Sequence, residues 1–241
     1  MKPYMANELS AFFLAYNEEG NIAKLIAKAD EVIKKLAKRY ELIVVFYRGS
    51  TDNTEHIVKK LMKTYPKLRI VYQEKHEKGY GVALKIGIGE ARYKHVFYTD
   101  SDLQFDVSEI ALLLPSARQY PIVTGYRKKR KDPLPRLFIS KIYNIIMRNS
   151  FGFHVKDIDC AFKIFNKDIF TKIGIQSRAG MVLTEIYAKA KKLGYNIKEV
   201  PITHYPRHSG SSIFESKFAL VKLSVVNNLL KEMNRLKNEL K

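Results

Sequence analysis

The chain has 241 residues, 46% of them hydrophobic, and carries 43 Lys and Arg against 24 Asp and Glu, a net charge of +19. That length suits one sizeable α/β domain with an appendage, and the charge suits a polyanionic partner: nucleic acid, an anionic membrane surface or a phosphorylated substrate. The lone cysteine, Cys160, excludes an internal disulfide, no apolar run approaches the roughly 18 residues of a membrane span, and Met1-Lys2-Pro3-Tyr4 lacks the apolar stretch of a signal peptide, so the expectation is a cytoplasmic protein, peripheral on a membrane.

In chain order, Ser10 to Tyr16 is an apolar run of strand length. Asn17 is placed to cap a helix, with Glu18 and Glu19 in a first turn where the helix dipole favours acids. Ile22, Leu25, Ile26, Ala29, Val32, Ile33 and Leu36 recur at helical spacing and carry that helix to about Arg39. Leu42 to Phe46 is the next strand, and Gly49-Ser50-Thr51-Asp52 supplies a turn and cap for a second helix with Ile57, Val58, Leu61, Met62 and Tyr65 on its apolar face. Leu68 to Tyr72 is a third strand. Gly79-Tyr80-Gly81 opens a third helix, and His95 to Thr99 is a strand running into Asp100. This alternation predicts a mostly parallel sheet covered on both faces.

The second half is less regular. Ile122 to Gly125 reads as a short strand, Arg127-Lys128-Lys129-Arg130-Lys131 as a basic run, and Pro135 to Phe151 as a helix. Cys160 to Phe165 follows as a strand, Leu183 to Leu193 as a helix stopped by Gly194, and Ile197 to His204 as extended chain. From Glu215, Phe218, Val221, Val225, Leu229, Met233, Leu236 and Leu240 fall three or four apart. Such an amphipathic tail either packs on its own domain or a twin, or lies in a lipid interface. The expected division is 1–212 for the main domain and 213–241 for the helical tail.

The chemistry centres on Asp100-Ser101-Asp102-Leu103-Gln104. Two carboxylates flanking one residue, just past the carboxyl end of a buried strand, can hold a hard divalent cation that grips a substrate diphosphate. A solvated turn, with Asp102 or Asp106 capping the next helix, uses the same residues differently. Spacing alone leaves both readings open.

Further motifs join this one in a fixed order: Ala15-Tyr16-Asn17-Glu18-Glu19, Gly49-Ser50-Thr51-Asp52, Lys78-Gly79-Tyr80-Gly81-Val82-Ala83-Leu84, Gly125-Tyr126-Arg127 and Asp157-Ile158-Asp159-Cys160-Ala161-Phe162-Lys163. Glu199-Val200-Pro201, His204-Tyr205-Pro206-Arg207 and Gly210-Ser211-Ser212 complete the set. Together, from Leu9 to Ser212, they resemble the family-two glycosyltransferases, in their dolichol-phosphate mannose synthase-like, polyprenyl-phosphate glycosyltransferase branch. The resemblance implies a GT-A type α/β fold and a nucleotide-diphospho-sugar donor. It also implies a divalent metal (Mg or Mn), a polyprenyl phosphate acceptor at an anionic membrane surface, and inversion at the anomeric carbon. A separate membrane protein or a second copy of the chain is a further partner. Nucleic acid ranks last, since no standard binding motif accompanies the charge.

By the same resemblance, Ala15, Tyr16, Glu18, Gly79, Asp100, Ser101 and Arg207 contact the donor, with Arg207 as the diphosphate clamp, and Tyr47 and Arg48 stand as further donor contacts on their own chemistry. Asp100, Asp102 and Gln104 hold the metal, Asp102 directly. Gln104 has orienting the sugar, or capping a helix, as its other uses. Asp157, Asp159 and Glu185 are candidate bases should the acceptor be a hydroxyl, because an anionic phosphate acceptor needs little help from a base. Lys163 is placed to hold the acceptor's phosphate. For each of these four, mutual structural pairing is the alternative. The stretch from Arg127 to Arg136 is either a solvated basic face or an attractor of lipid phosphates, at about 1 kcal/mol per cation.

The pattern breaks at Tyr47-Arg48, where the family usually carries an acidic pair before Gly49-Ser50, and more mildly at Leu14, where it often carries proline. Tyr47 stacking on the base and Arg48 reaching a phosphate would make a working, altered pocket. Loss of the acidic pair also fits an inert nucleotide- or membrane-binding relative. Retention of Asp100, Asp102, Lys163, Glu185 and Arg207 favours an enzyme.

Overall fold

The computed structural model describes residues 4–207 and 223–241. Fourteen elements position the site: β1 (Ala6–Ala15), α1 (Ile22–Leu36), β2 (Ala37–Tyr47), α2 (Thr54–Thr64), β3 (Leu68–Gln73), α3 (Tyr80–Glu90), β4 (His95–Asp100), α4 (Ile110–Leu113), β5 (Ile122–Arg127), α5 (Leu134–Phe151), β6 (Phe162–Asn166), α6 (Val182–Lys192), β7 (Ile197–Ile202) and α7 (Leu223–Glu239). The strands form one seven-stranded sheet in the order β3-β2-β1-β4-β6-β5-β7. All pairings are parallel except those of β6 with β4 and β5, so six strands run one way and β6 alone runs back.

Strand order sets where a ligand binds. The chain winds outward from β1 through β2 to β3, then crosses to β4 on the other side of β1. The crevice between the carboxyl ends of β1 and β4 is therefore a topological switch point, the usual ligand position in an open α/β sheet. Leu14 pairs with Asp100 and Ala15 with Phe46, which brings Tyr16, Tyr47 and Asp100 to that edge. Arg127 and the chain after Ile202 leave β5 and β7 at the same edge, because those strands share the direction of β4.

Both sheet faces are buried, as parallel strands require. On one face Ala11, Phe13, Val44 and Phe46 pack against α1, α2 and α4; on the other Phe12, Ile43 and Val45 pack with α3, α5, α6 and α7. Gly87 of α3 lies flat against the ring of Phe12, where a Cβ would stand 2.4 Å from a ring carbon.

The sequence reading and the structure differ in three places, and a fourth, the tail helix, settles between two open alternatives. Asn17 does not cap α1: it takes a left-handed conformation (φ 55°), Asn21 stands at the cap, and no acid lies in the first helical turn. The helix stops at Leu36 rather than Arg39, because Ala37 turns extended and begins pairing with β1 at Ala6. The basic run is not wholly solvated, since Arg127 and Arg130 turn inward. The tail helix docks on its own domain, with Met233 and Leu236 buried while Val225, Val226 and Leu230 stay exposed. Gly210-Ser211-Ser212, the boundary expected after residue 212, and the start of the tail with Glu215, Phe218 and Val221 lie outside the described residues. Among the described residues no helix is long and apolar enough to cross a membrane.

Candidate active site

Two loops laced together form the first wall of the crevice. The Asn17 side chain accepts from the Thr51 amide at 2.8 Å, the Glu18 amide donates to Thr54 Oγ1 at 2.8 Å, and the Glu19 amide donates to Asp52 Oδ2 at 2.9 Å. These bonds leave the Glu18 carboxylate buried beside Asn21, whose amide donates to it at 2.7 Å. Burial first, then the nearby Asp102 charge, pushes Glu18 up to about 7.

The facing wall is the loop after β4. Asp102 accepts from the Gln104 amide at 3.1 Å, an Asx turn, while Leu103 holds a left-handed conformation (φ 58°) that non-glycine residues rarely adopt. The Tyr205 amide donates to the Gln104 carbonyl at 2.9 Å, docking the strand-exit segment alongside. That contact delivers Arg207, whose Nη2 donates to Asp102 Oδ2 at 2.8 Å and whose Nη1 lies 4.0 Å from Glu18. Ser101 is buried, and its hydroxyl finds no hydrogen-bond partner among the described residues.

Three carboxylates, Glu18, Asp100 and Asp102, thus share one guanidinium. Asp100 is half-buried and crowded by protein, and that crowding, followed by Asp102 and Glu18, raises it well above the usual carboxylate range. A divalent cation would relieve this repulsion, and the donors are the hard oxygens such a cation prefers. Among the described residues no three His, Cys, Asp or Glu converge as a ready-made cage. Two carboxylates with substrate phosphates completing the shell is the arrangement typical of Mg²⁺ sites, so the residues fit the group.

Tyr16 and Tyr47 meet edge to face, ring centroids 5.7 Å apart, at the mouth of the crevice. The Tyr47 ring lies over Gly49, where a Cβ would stand 2.3 Å from it, and its hydroxyl donates to the Lys75 carbonyl at 3.2 Å. Arg48 does not extend toward a phosphate. Its Nε donates to Glu74 at 2.8 Å, and its guanidinium lies 3.8 Å from the centre of the Tyr72 ring. Gly79 sits at φ 149° before Tyr80, whose phenol is held well above its ordinary range by burial and then by the charge of nearby Asp100.

The four residues read as catalytic do not stay together. Asp157 is buried under Arg127, which donates to it through Nε at 2.7 Å and Nη2 at 2.6 Å; these bonds overcome the opposing effect of burial and lower its pKa. Lys163 is wholly enclosed, donating to Thr124 Oγ1 at 2.7 Å and the Ile158 carbonyl at 3.2 Å with its ammonium 5.2 Å from the Tyr187 ring centre. Burial brings it down to about 8. So placed, it has no face open to an acceptor phosphate. Glu185 is buried too, accepting from the Gln176 and Ser177 amides and pairing with Lys189 at 2.8 Å. Asp159 alone stays open. Its rim touches solvent while protein crowds its other sides, and that crowding, with the Asp157 charge, raises it to about 6.

A second depression of about 220 Å³ opens between α5 and the end of β5. Five cations, Arg127, Arg130, Lys141, Arg148 and Lys156, line it against the single carboxylate of Asp157. Ser140 on α5 accepts from Arg130 at 2.6 Å. The outer face of α5 is apolar and open: Leu134 is 81% exposed, Phe138 66% and Ile142, Ile145 and Ile146 more than 40% each. The sequence reading assigned no site role to Ser140 or Arg148, and reached Arg130 only as part of the Arg127–Arg136 stretch that could attract lipid phosphates. Its signal was a helix whose apolar residues recur every three or four positions, flanked by a basic run.

The family model for Glycosyl transferase family 2 matches residues 10–174. The chain is similar to undecaprenyl-phosphate 4-deoxy-4-formamido-L-arabinose transferases of Pseudomonas fluorescens (strain Pf0-1), 24% identical over 225 residues, and of Pseudomonas savastanoi pv. phaseolicola, 26% over 227. Each alignment takes 92% of this chain, which spans only 64–65% of the length of those relatives. Among solved structures it is similar in fold to glucosyl-3-phosphoglycerate synthase from Mycobacterium tuberculosis in complex with Mn²⁺, UDP and glucosyl-3-phosphoglycerate, with a TM-score of 0.70 at 18% identity, covering 95% of this chain and 80% of that one.

Proposed function

The chain belongs to glycosyl transferase family 2, and from that premise we propose that it is a metal-dependent, inverting transferase moving a sugar from a nucleotide-diphospho-sugar to a polyprenyl phosphate at a membrane surface. The observation that carries this reading is the pairing of opposites at one sheet edge. An acidic crevice that calls for a cation stands beside a cationic depression that calls for an anion, and the helix bordering the latter presents an apolar stripe.

Asp100 and Asp102 hold the divalent cation, with Gln104 beside them; when bound, it neutralises charge developing on the departing diphosphate. Arg207 supplies the neighbouring guanidinium, which suits phosphate oxygens in pairs. Tyr16 and Tyr47 offer an aromatic, uncharged surface to the nucleoside. Arg48 serves the wall of that pocket through Glu74 and Tyr72. The acceptor's phosphate enters between Arg127, Arg130 and Arg148, while α5 sets Leu134 and Phe138 into the lipid boundary and Lys128, Lys129 and Arg136 near its headgroups. This gives the lipid contact to α5, where the sequence reading had offered the tail helix. An acceptor phosphate, already anionic, attacks the anomeric carbon from the side opposite the nucleotide without a general base.

A second reading, transfer to a glycan or lipid hydroxyl, is favoured by Asp159, an open carboxylate raised into the range of a general base. Incubating the protein with labelled nucleotide-sugars and Mn²⁺, with a short-chain polyprenyl phosphate or the corresponding alcohol, separates the two. Label passing to the phosphate alone is expected; label passing to the alcohol instead would move the function to the second reading. No transfer despite donor binding would point to the inert relative.

A further inference from the structure

We propose that α7 is a splint for the glycine turn at the donor crevice, with Arg235 and Glu232 as positioning residues that act through the segment 176–178. The proposal rests on the reading of that crevice as the donor site. Gly79 and Gly81 are pressed by backbone: a Cβ on Gly79 would stand 2.1 Å from the Arg178 carbonyl oxygen, and one on Gly81 2.2 Å from that of Ser177. The Gly81 amide, in the first turn of α3 and so without an intrahelical acceptor, donates to the Arg178 carbonyl at 3.0 Å. Between these glycines stands Tyr80, close enough to Asp100 to feel its charge. The turn that fixes Tyr80 is therefore shaped by a segment that is neither helix nor strand.

That segment is itself held from behind. Glu185 accepts the Ser177 amide at 2.7 Å and the Gln176 amide at 3.1 Å. Arg235 of α7 donates through Nη1 to Gln176 Oε1 at 2.7 Å and through Nη2 to Ser177 Oγ at 3.3 Å, and Ser177 Oγ donates to Glu232. Charge-assisted bonds of this kind are the strong ones, and here they converge on two residues adjoining the carbonyl that Gly81 uses. Glu185, which sequence pattern offers as a base, is on this geometry the inner half of the clamp, and Arg235 and Glu232 are its outer half.

The test compares the full chain with Arg235→Ala, Glu232→Ala and Met233→Ala, reading amide exchange at Gly81, UDP and GDP affinity with Mn²⁺, and Tm. Met233 is a buried anchor of α7 with no polar contact to the segment, so its variant reports loosening of the helix alone. Arg235→Ala and Glu232→Ala are expected to speed Gly81 exchange and weaken nucleotide binding about tenfold, or 1.4 kcal/mol. Met233→Ala is expected to lower Tm more and move affinity less than about twofold. Unchanged Gly81 exchange in both clamp variants would overturn the splint, as would faster exchange with unaltered affinity. If the unmodified protein binds no nucleotide, the donor reading fails, and the exchange arm still decides the splint.

Discussion

The two depressions at the sheet edge are opposites in how they treat their carboxylates. In the crevice between β1 and β4, Glu18 and Asp100 are pushed up, because burial and mutual repulsion outweigh the single guanidinium of Arg207. Beside α5, Asp157 and Asp132 are lowered despite their burial, because Arg127 and Arg130 sit on them. The first site is short of positive charge and the second has it in excess. A cation would relieve the first and an anion the second, and removing a carboxylate from the crevice strains the fold less than removing a cation beside α5.

The sharpest way to break the comparison is Asp102→Ala. Turnover is expected to fall about a thousandfold, in line with losing several kcal/mol of charge stabilisation, while Tm holds, because the cluster is self-repelling. Near-normal kcat would remove Asp102 from the metal site. Arg127→Ala probes the other depression: it strands Asp157 in the interior, which costs about 3–5 kcal/mol and lowers Tm by roughly 10 °C. A Tm as steady as that of Asp102→Ala would erase the contrast. For α5, Leu134→Ser with Phe138→Ser is expected to cut binding to anionic vesicles about tenfold or more, each side chain losing up to about 1.5–3 kcal/mol of burial, with transfer to a water-soluble acceptor kept. Full sedimentation of the double variant with vesicles would take the membrane face away from α5.

The smallest effect concerns His204, buried between the two regions and accepting from the Lys131 amide at 3.1 Å. Burial, then the Arg127 charge, lowers it to about 4, against 6.5 unfolded. Between those values the unfolded chain holds the extra proton, so stability rises with pH across the window and is lost as pH falls through it. His204→Gln is expected to flatten the dependence of Tm on pH between 4 and 6.5; an unaltered slope would mean that other groups set it.

Much of this was legible in the residues and some was not, for physical reasons. The alternation up to Asp100 predicts a parallel sheet because its strands are continuously apolar, and the carboxyl-end position of Asp100 follows from that. The reversal of β6 left no trace, since strand length and apolar content do not encode a strand's direction in the sheet. Helical spacing ran past Leu36 because Ala37 and Lys38 suit a helix locally, while pairing with β1 decides otherwise. Lys163 and Glu185 carry chemistry in their residue types, but tertiary partners bring both inside, and no local pattern shows a partner as distant as Thr124 or Arg235. Asp159 and Lys163 lie four positions apart, and only the fold separates the open carboxylate from the enclosed ammonium.

The most direct measurement is a thermal-shift titration with UDP-, GDP- and other nucleotide-sugars, each with and without Mn²⁺, on the unmodified protein and Asp102→Asn. A ligand that binds the folded state raises Tm by mass action. The expected result is a shift with one nucleotide that requires Mn²⁺ and disappears in Asp102→Asn. A shift that ignores both the metal and the substitution, or none with any donor, would contradict the reading of the acidic crevice as a metal–diphosphate site.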